Sequence, residues 1–170
     1  QAYTKKLNRD AELLADASER AALAAHLLNG AEYPYGTLNN AWGLMLRNQF
    51  HDNLPGTSIP KAYEHAWNDG IIALNQFAGV YKDAIGTIAQ SLNTDVPGVP
   101  VVVFNPLSIP RKDIVEAFIP DKLVNAESLA VFDASGKELP SQITLGFDGL
   151  SRILFQADLP PVGVSVFSLR

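Results

Sequence analysis

Cysteine is absent from the 170-residue chain, which excludes a disulfide framework, a thiolate nucleophile and a cysteine-based zinc finger. Positive charge is scarce, since 13 basic against 18 acidic side chains give a formal net charge of -5 at pH 7. Nucleic acids and anionic membranes bind basic surfaces, so neither is expected as a partner. There is no run of about 18 apolar residues and no charged-then-apolar signal segment, so a membrane-spanning helix is not expected either.

Alanine and valine divide the chain into two parts. Residues 1–92 contain 16 Ala and 1 Val, whereas residues 93–170 contain 5 Ala and 11 Val. Alanine loses no side-chain entropy in a helix, while β-branched valine suits a pleated, half-buried strand. The composition therefore predicts an α+β fold, in which an antiparallel three-helix bundle is followed by a small antiparallel β-sandwich or sheet domain.

The first two helices are predicted from apolar residues at three- and four-residue spacing. The first runs from about Leu7 to Leu28. The second is capped by Thr37 and ends near His51 or Asp52, because a Pro-Gly turn follows. Helical pattern begins almost at Gln1, without a recognisable start, so we expect the chain to be a piece of a longer protein.

The third helix is predicted to have Ser58 as its cap and Pro60 in its first turn. At ~1.5 Å per residue it would be ~50 Å long, unless Gly70 bends or interrupts it. Gly79 and Gly86 are expected to let a neighbouring helix approach closely. The predicted core-facing stripe consists of Tyr63, Trp67, Ile71, Leu74, Ala78, Tyr81, Ile85, Ile88 and Leu92.

Residues 93–100 form a predicted linker rich in Pro and Gly, and residues 101–170 a β-domain. The segment 134–137, Ala-Ser-Gly-Lys, is typical of a hairpin turn. The strand signals occur at roughly 10-residue intervals, as in an antiparallel sandwich. They are Val101–Asn105, Ile114–Ile119, Leu129–Asp133, Ser141–Leu145, Ile153–Ala157 and Val164–Leu169.

Histidine is the least frequent of the reactive residue types present, with three copies. His26 near the end of the first helix and His65 in the third are explained by ordinary helix positions. His51 differs because it is next to Asp52 at the predicted end of a helix. A helix end holds a side chain in a fixed position, from which it can project toward a ligand. On the residues alone, an ordinary helix end and turn remain the stronger interpretation. The chain has no serine nucleophile elbow, no glycine-rich phosphate loop and no clear acid/base carboxylate pair.

One segment, residues 41–60, carries a resemblance to a known family. It reads Ala-Trp-Gly-Leu-Met-Leu-Arg-Asn-Gln-Phe-His-Asp-Asn-Leu-Pro-Gly-Thr-Ser-Ile-Pro. It resembles the helical region of the family 38 glycoside hydrolases, the zinc-dependent α-mannosidases, whose bacterial members carry Gln-Phe-His-Asp-x-Leu-Pro-Gly-(Thr/Ser)-Ser-Ile. Flanking segments are similar too: Thr-Lys-Lys-Leu-Asn-Arg at 4–9, Val-Val-Val-Phe-Asn-Pro-Leu-Ser at 101–108 and Leu-Pro-Pro-Val-Gly-Val-Ser at 159–165.

The resemblance implies roles for two residues. His51 would be one of four zinc ligands, and Asp52 would bind hydroxyl groups of the mannoside substrate. Phe50 replaces the first histidine of the animal motif, a change seen in the bacterial type. The other zinc ligands, the nucleophilic aspartate and the acid/base aspartate belong to the family's N-terminal α/β domain. No catalytic residue is therefore expected in this chain, which should be inactive and nearly metal-free by itself.

The resemblance also implies a parent protein: a retaining α-mannosidase that hydrolyses terminal α-mannosides. Residues 1–92 would be its middle domain and residues 101–170 the start of its C-terminal β-region, with the N-terminal catalytic domain and the remaining β-region as partners in the same chain. A cytoplasmic location is expected for the bacterial type, and a secreted or periplasmic one stays open. The alternative is a non-catalytic helical and β module that binds carbohydrate or protein, with Trp42, Tyr33 and Tyr35 for stacking.

Overall fold

A computed structural model describes residues 2–123 and 128–170, so Gln1 lies outside the described residues. The chain divides into two units, a helical unit Gln1–Leu92 and a β unit Asn93–Arg170. Within the described residues, none of the helices combines the length and the apolar character that crossing a bilayer requires.

Three helices form the helical unit: α1 (Ala2–Asn29), α2 (Tyr35–Asn48) and α3 (Pro60–Ser91). Gly30, at φ +67°, ends α1 by donating its N–H to His26 O at 2.9 Å, a common glycine stop. Ile59, not Ser58, occupies the N-cap of α3, because Pro60 is already in its first turn. The helix then continues through Gly70 without interruption.

The core of the bundle is built mainly from small side chains. On α3 the buried residues are Ala66, Gly70, Ala73, Phe77, Val80, Ala84 and Ile88. The stripe predicted from the larger apolar residues is right at Ile88, which is buried, and at Leu74, which packs against the core, but wrong at positions such as Ile71, which is 45% exposed. The physical reason is that the buried face of α3 follows a line of mostly small residues that also contains Phe77, Val80 and Ile88, which leaves the other large apolar side chains at the border of that face.

Close helix approach occurs at a different glycine from those predicted. A Cβ added at Gly70 would lie 3.0 Å from Leu7 Cγ and closer still to Leu7 Cδ2. A Cβ at Gly79 or Gly86 would meet nothing within 4 Å. The expectation for Gly79 and Gly86 is therefore wrong, and Gly70 is the position where α1 lies against α3.

The β unit is a sandwich of two antiparallel sheets. Its strands are β1 (Val99–Asn105), β2 (Arg111–Phe118), β3 (Val131–Phe132), β4 (Glu138–Leu139), β5 (Ser141–Leu145), β6 (Ser151–Leu159) and β7 (Gly163–Leu169). One sheet has the order β1-β7-β3-β4 and the other β2-β6-β5. Side chains from both sheets form one core, in which the rings of Phe155 and Phe167 lie 5.1 Å apart. The α+β fold class predicted from composition is confirmed.

Two details of the β unit refine the prediction. The predicted turn at residues 134–137 connects β3 to β4, with Gly136 at φ +81°. The two-residue strand β4 was missed, because Glu138–Leu139 is too short to produce an alternating pattern.

The turn after β1 is held by Asn105, whose Nδ2 donates to Ile109 O and to Pro160 O, both at 2.9 Å.

Candidate functional site

The sequence-predicted site residues lie on the connection between α2 and α3, residues 49–59, here called the site turn. Helix α2 ends at Asn48, so His51 and Asp52 follow the helix rather than complete it. Gln49 N–H donates to Leu46 O at 3.1 Å, which tightens the last turn of α2. Gly56 has φ +96°, a conformation that glycine adopts without strain, and it reverses the chain toward α3.

The backbone carbonyl of Asp52 organises the site turn. It accepts hydrogen bonds from Thr57 N–H at 3.1 Å and Ser58 N–H at 2.9 Å, and from the Tyr63 hydroxyl at 3.2 Å. The carboxylate is also held, because Thr57 Oγ1 donates to Asp52 Oδ1 at 3.0 Å. The Asp52 side chain nevertheless remains 48% exposed, so its carboxylate is accessible to a ligand.

The imidazole of His51 stands on the outside of the site turn. Its Nε2 is 3.4 Å from Asp52 Oδ2, and its side chain is 76% exposed. The ring of Phe50 lies 4.1 Å away, centroid to centroid, at an interplanar angle of 48°. The fold thus brings the two predicted site residues together on an accessible surface, with Phe50 supporting one side of the imidazole.

His51 and Asp52 carry side-chain atoms of the kinds that bind metal ions. Zinc accepts imidazole nitrogen and carboxylate oxygen, and His51 and Asp52 present one of each. A catalytic zinc site needs about three protein ligands. Among residues 2–123 and 128–170, no group of three or more His, Cys, Asp and Glu side chains could hold a metal ion. His51 and Asp52 alone are thus fewer ligands than such a site needs.

The other two histidines are separate from the site turn. His26 Nδ1 lies 2.7 Å from Ala31 O, so its imidazole is engaged with the connection after α1. His65 lies on an exposed position of α3. Both positions agree with the ordinary helix roles assigned to them from the sequence.

The aromatic residues considered for sugar stacking have different surroundings. Trp42 Nε1 donates to Glu19 Oε1 at 2.8 Å, and the Trp42 ring packs on Phe77 at 5.8 Å. Burial, and then the nearby Glu19 carboxylate, raise the pKa of the Tyr33 hydroxyl. Tyr35 is 72% exposed. Trp42 thus packs against the bundle core, whereas Tyr35 presents an open ring.

Three residues in or beside the site turn were not identified as site residues from the sequence. Tyr63 and Thr57 bind Asp52 directly, as described above, and Trp67 supports Tyr63, with ring centroids 6.1 Å apart. The sequence placed Tyr63 and Trp67 in the core stripe of α3. Their link to Asp52 crosses a chain reversal, which helical periodicity does not encode.

Comparison with known proteins identifies one matching family and solved structures with a similar fold. The chain matches the family described as alpha mannosidase middle domain over residues 1–88. A family 38 glycosyl hydrolase from Enterococcus faecalis has a similar fold, with a TM-score of 0.75 and 19% sequence identity over 99% of this chain and 24% of that chain. An alpha-mannosidase from Enterococcus faecalis V583 gives a TM-score of 0.77 at 19% identity, over 99% of this chain and 23% of that one.

The two solved structures cover almost all of the present chain, but the present chain covers only a small part of them. The present chain spans about a quarter of the length of the two solved structures. At 19% identity the structural likeness establishes the fold alone. No curated protein sequence matches the chain significantly.

Proposed function

The chain belongs to the alpha-mannosidase middle-domain family, and from that premise we propose that it is part of a bacterial-type, zinc-dependent retaining α-mannosidase. Residues 1–92 would be the middle domain, 93–100 a linker whose last two residues already belong to β1, and 101–170 the start of the C-terminal β-region. The observation that carries the proposal is the accessible His51–Asp52 pair, held on the site turn inside the family-matched residues.

His51 and Asp52 would have separate roles in the complete enzyme. His51 would bind zinc as one of its four ligands. The ion, when bound, supplies a template that orients and polarises adjacent sugar hydroxyls. Asp52 would accept a hydrogen bond from a mannose hydroxyl, since a carboxylate is a strong acceptor and this one is accessible.

The proposal assigns bond cleavage to another domain. A retaining glycosidase uses two carboxyl groups about 5–5.5 Å apart, one as nucleophile and the other as general acid and base. We assign both to an N-terminal α/β domain of the longer polypeptide. The enzyme would hydrolyse terminal α-mannosides with net retention, and we propose a cytoplasmic location from the same family resemblance.

Replacing His51 by alanine in the full-length enzyme tests this function. We expect the variant to lose bound zinc and hydrolysis of an aryl α-mannoside, with an unchanged helical circular dichroism spectrum. His65→Ala is the matched control, because His65 is an exposed histidine of the same helical unit. Unchanged turnover in His51→Ala would contradict the role of His51. Hydrolysis by the 170-residue chain alone would contradict the assignment of the carboxylates.

A second candidate function is the non-catalytic binding module. One observation favours it: a cavity of about 400 Å³ in the helical unit, bordered by Glu32, Asn75, Gln76 and Asp83. Carboxylate and amide side chains of this kind bind sugar hydroxyls. Titration of the 15N-labelled chain with methyl α-mannoside separates the two functions, because a binding module shifts the amides of Asn75 and Asp83. The mannosidase proposal predicts no shift at either residue.

A further inference from the structure

We propose that Tyr63 is a positioning residue for the site turn, which it holds in the conformation that presents His51 and Asp52. This inference rests on the proposed function, because it assigns a role within the same site. The hydroxyl of Tyr63 makes two hydrogen bonds: it accepts from Ser58 N–H at 3.1 Å and donates to Asp52 O at 3.2 Å. One side-chain atom on the first turn of α3 thereby binds both sides of the chain reversal.

The second contact that fixes Asp52 comes from Thr57. Its amide donates to Asp52 O at 3.1 Å, and its hydroxyl donates to Asp52 Oδ1 at 3.0 Å. One carboxylate oxygen is thus engaged with Thr57, while the other, Oδ2, is on the side of His51 Nε2. Thr57 therefore selects the direction of the carboxylate, and Tyr63 holds the backbone that carries it.

Tyr63 is itself braced by aromatic packing that reaches α1. Its ring lies 6.1 Å from that of Trp67, and the Trp67 ring meets that of Tyr3 edge-on at 5.2 Å. Trp67 Nε1 donates to Thr4 Oγ1 at 3.0 Å. The Tyr63 hydroxyl is therefore fixed relative to two helices. A site group that must meet ligands from another domain requires such support, since small displacements reduce activity strongly.

Tyr63→Phe is the direct test because it keeps the ring and removes only the hydroxyl. In the 170-residue chain we expect the heteronuclear 1H–15N NOE of Asn53, Gly56 and Thr57 to fall toward the values of a flexible loop. The amide of Phe77 in the bundle core should not change. Tyr35→Phe is the matched control, since Tyr35 is 72% exposed and should leave the NOE of the site turn unaltered.

The full-length enzyme then shows whether this rigidity serves the site. We expect Tyr63→Phe to raise KM for an aryl α-mannoside about tenfold, with a smaller change in kcat and unchanged zinc content. Thr57→Val should raise KM similarly, and Thr57→Ser should restore it because serine keeps the hydroxyl. Wild-type rigidity of the site turn in Tyr63→Phe would overturn the inference, and so would a loosened turn with wild-type KM.

If the proposed function is wrong, the experiments give a different result from the one expected if only the Tyr63 inference is wrong. If His51→Ala and Asp52→Ala both leave the full-length enzyme fully active, the site assignment fails whatever Tyr63 does. The NOE measurement needs neither metal nor substrate, so it reports on the Tyr63 contact independently of that outcome.

Discussion

Asn48, in the last turn of α2, donates from Nδ2 to the backbone carbonyl of Ala66 in α3 at 2.6 Å. The side chain is 7% exposed, so water does not replace this bond when it is lost. The bond joins the two helices on either side of the site turn. The ends of the site turn are therefore held together by a buried contact as well as by the hydrogen bonds to Asp52.

Removing this contact should weaken the whole helical unit. We expect Asn48→Ala to lower the free energy of unfolding by about 1–3 kcal/mol, through the lost bond and the space left behind. Denaturation followed by tryptophan fluorescence measures this unit selectively, because both tryptophans, Trp42 and Trp67, lie in it. The control Asn39→Ala, at an exposed position of α2, should change the stability by less than about 0.5 kcal/mol. Equal effects of both variants would argue against the contact.

Adding a methyl group at two glycines of α3 should have opposite effects. Alanine stabilises a helix interior by about 0.5–1 kcal/mol relative to glycine. At Gly79 the new Cβ meets nothing within 4 Å, so Gly79→Ala should be stabilising by about that amount. At Gly70 the Cβ would overlap Leu7, and overpacking costs about 1–3 kcal/mol. Gly70→Ala should therefore be destabilising by about 1 kcal/mol in the same unfolding experiment. A stabilised Gly70→Ala variant would mean that Leu7 moves aside freely.

Asn105 should be essential for the β unit. Its side chain is fully buried, donates to Ile109 O and Pro160 O, and accepts from Leu107 N–H at 3.1 Å. Asn105→Ala would leave these groups without their partner and should lower the stability of the β unit by about 3 kcal/mol. Asn105→Asp should be similarly destabilising, because aspartate lacks both N–H donors.

The β unit contains neither Trp nor Tyr, so its unfolding should be followed by NMR of its amides. Gln142→Ala is a suitable control, since Gln142 is exposed on β5. A small loss of stability in Asn105→Ala, comparable with that of Gln142→Ala, would contradict the structural role of Asn105.

Asp133 should make the β3–β4 turn sensitive to acid. The Ser135 hydroxyl, and then the backbone N–H groups of Lys137 and Ser135, hold the pKa of the Asp133 carboxyl below its usual value of 3.8. A pKa that is lowered by folding means that the stabilisation is present above the unfolded value and is lost as pH falls through the folded one. A carbon-13 NMR titration of the Asp133 carboxyl should give a midpoint below 3.8, and Ser135→Ala should move it upward. A midpoint unaffected by Ser135→Ala would contradict the assigned cause.

Several features could be predicted because their signals are local. Alanine enrichment predicted the helical part, and the strand signals of β1, β5 and β6 lie within or coincide with strands of the structure. His51 and Asp52 were proposed as site residues only through the family resemblance of residues 41–60, because their adjacency before a Pro-Gly turn is equally typical of an ordinary helix end. The start of α2 was placed at Thr37 rather than Tyr35, because Pro34 makes no side-chain cap and leaves a weak signal. Strand β4 exists only through its pairing with β3, so no pattern within Glu138–Leu139 could reveal it.

The sequence by itself determined which part of the chain is helical, which part forms strands and where the candidate residues stand. These properties follow from local propensity and from turn residues. Tertiary structure decided which face of α3 is buried, because the choice depends on how closely Gly70 lets α1 approach. It also decided that Tyr63 and Thr57 bind Asp52. A hydrogen bond across a chain reversal depends on the path of the whole site turn, and residue spacing alone does not specify that path.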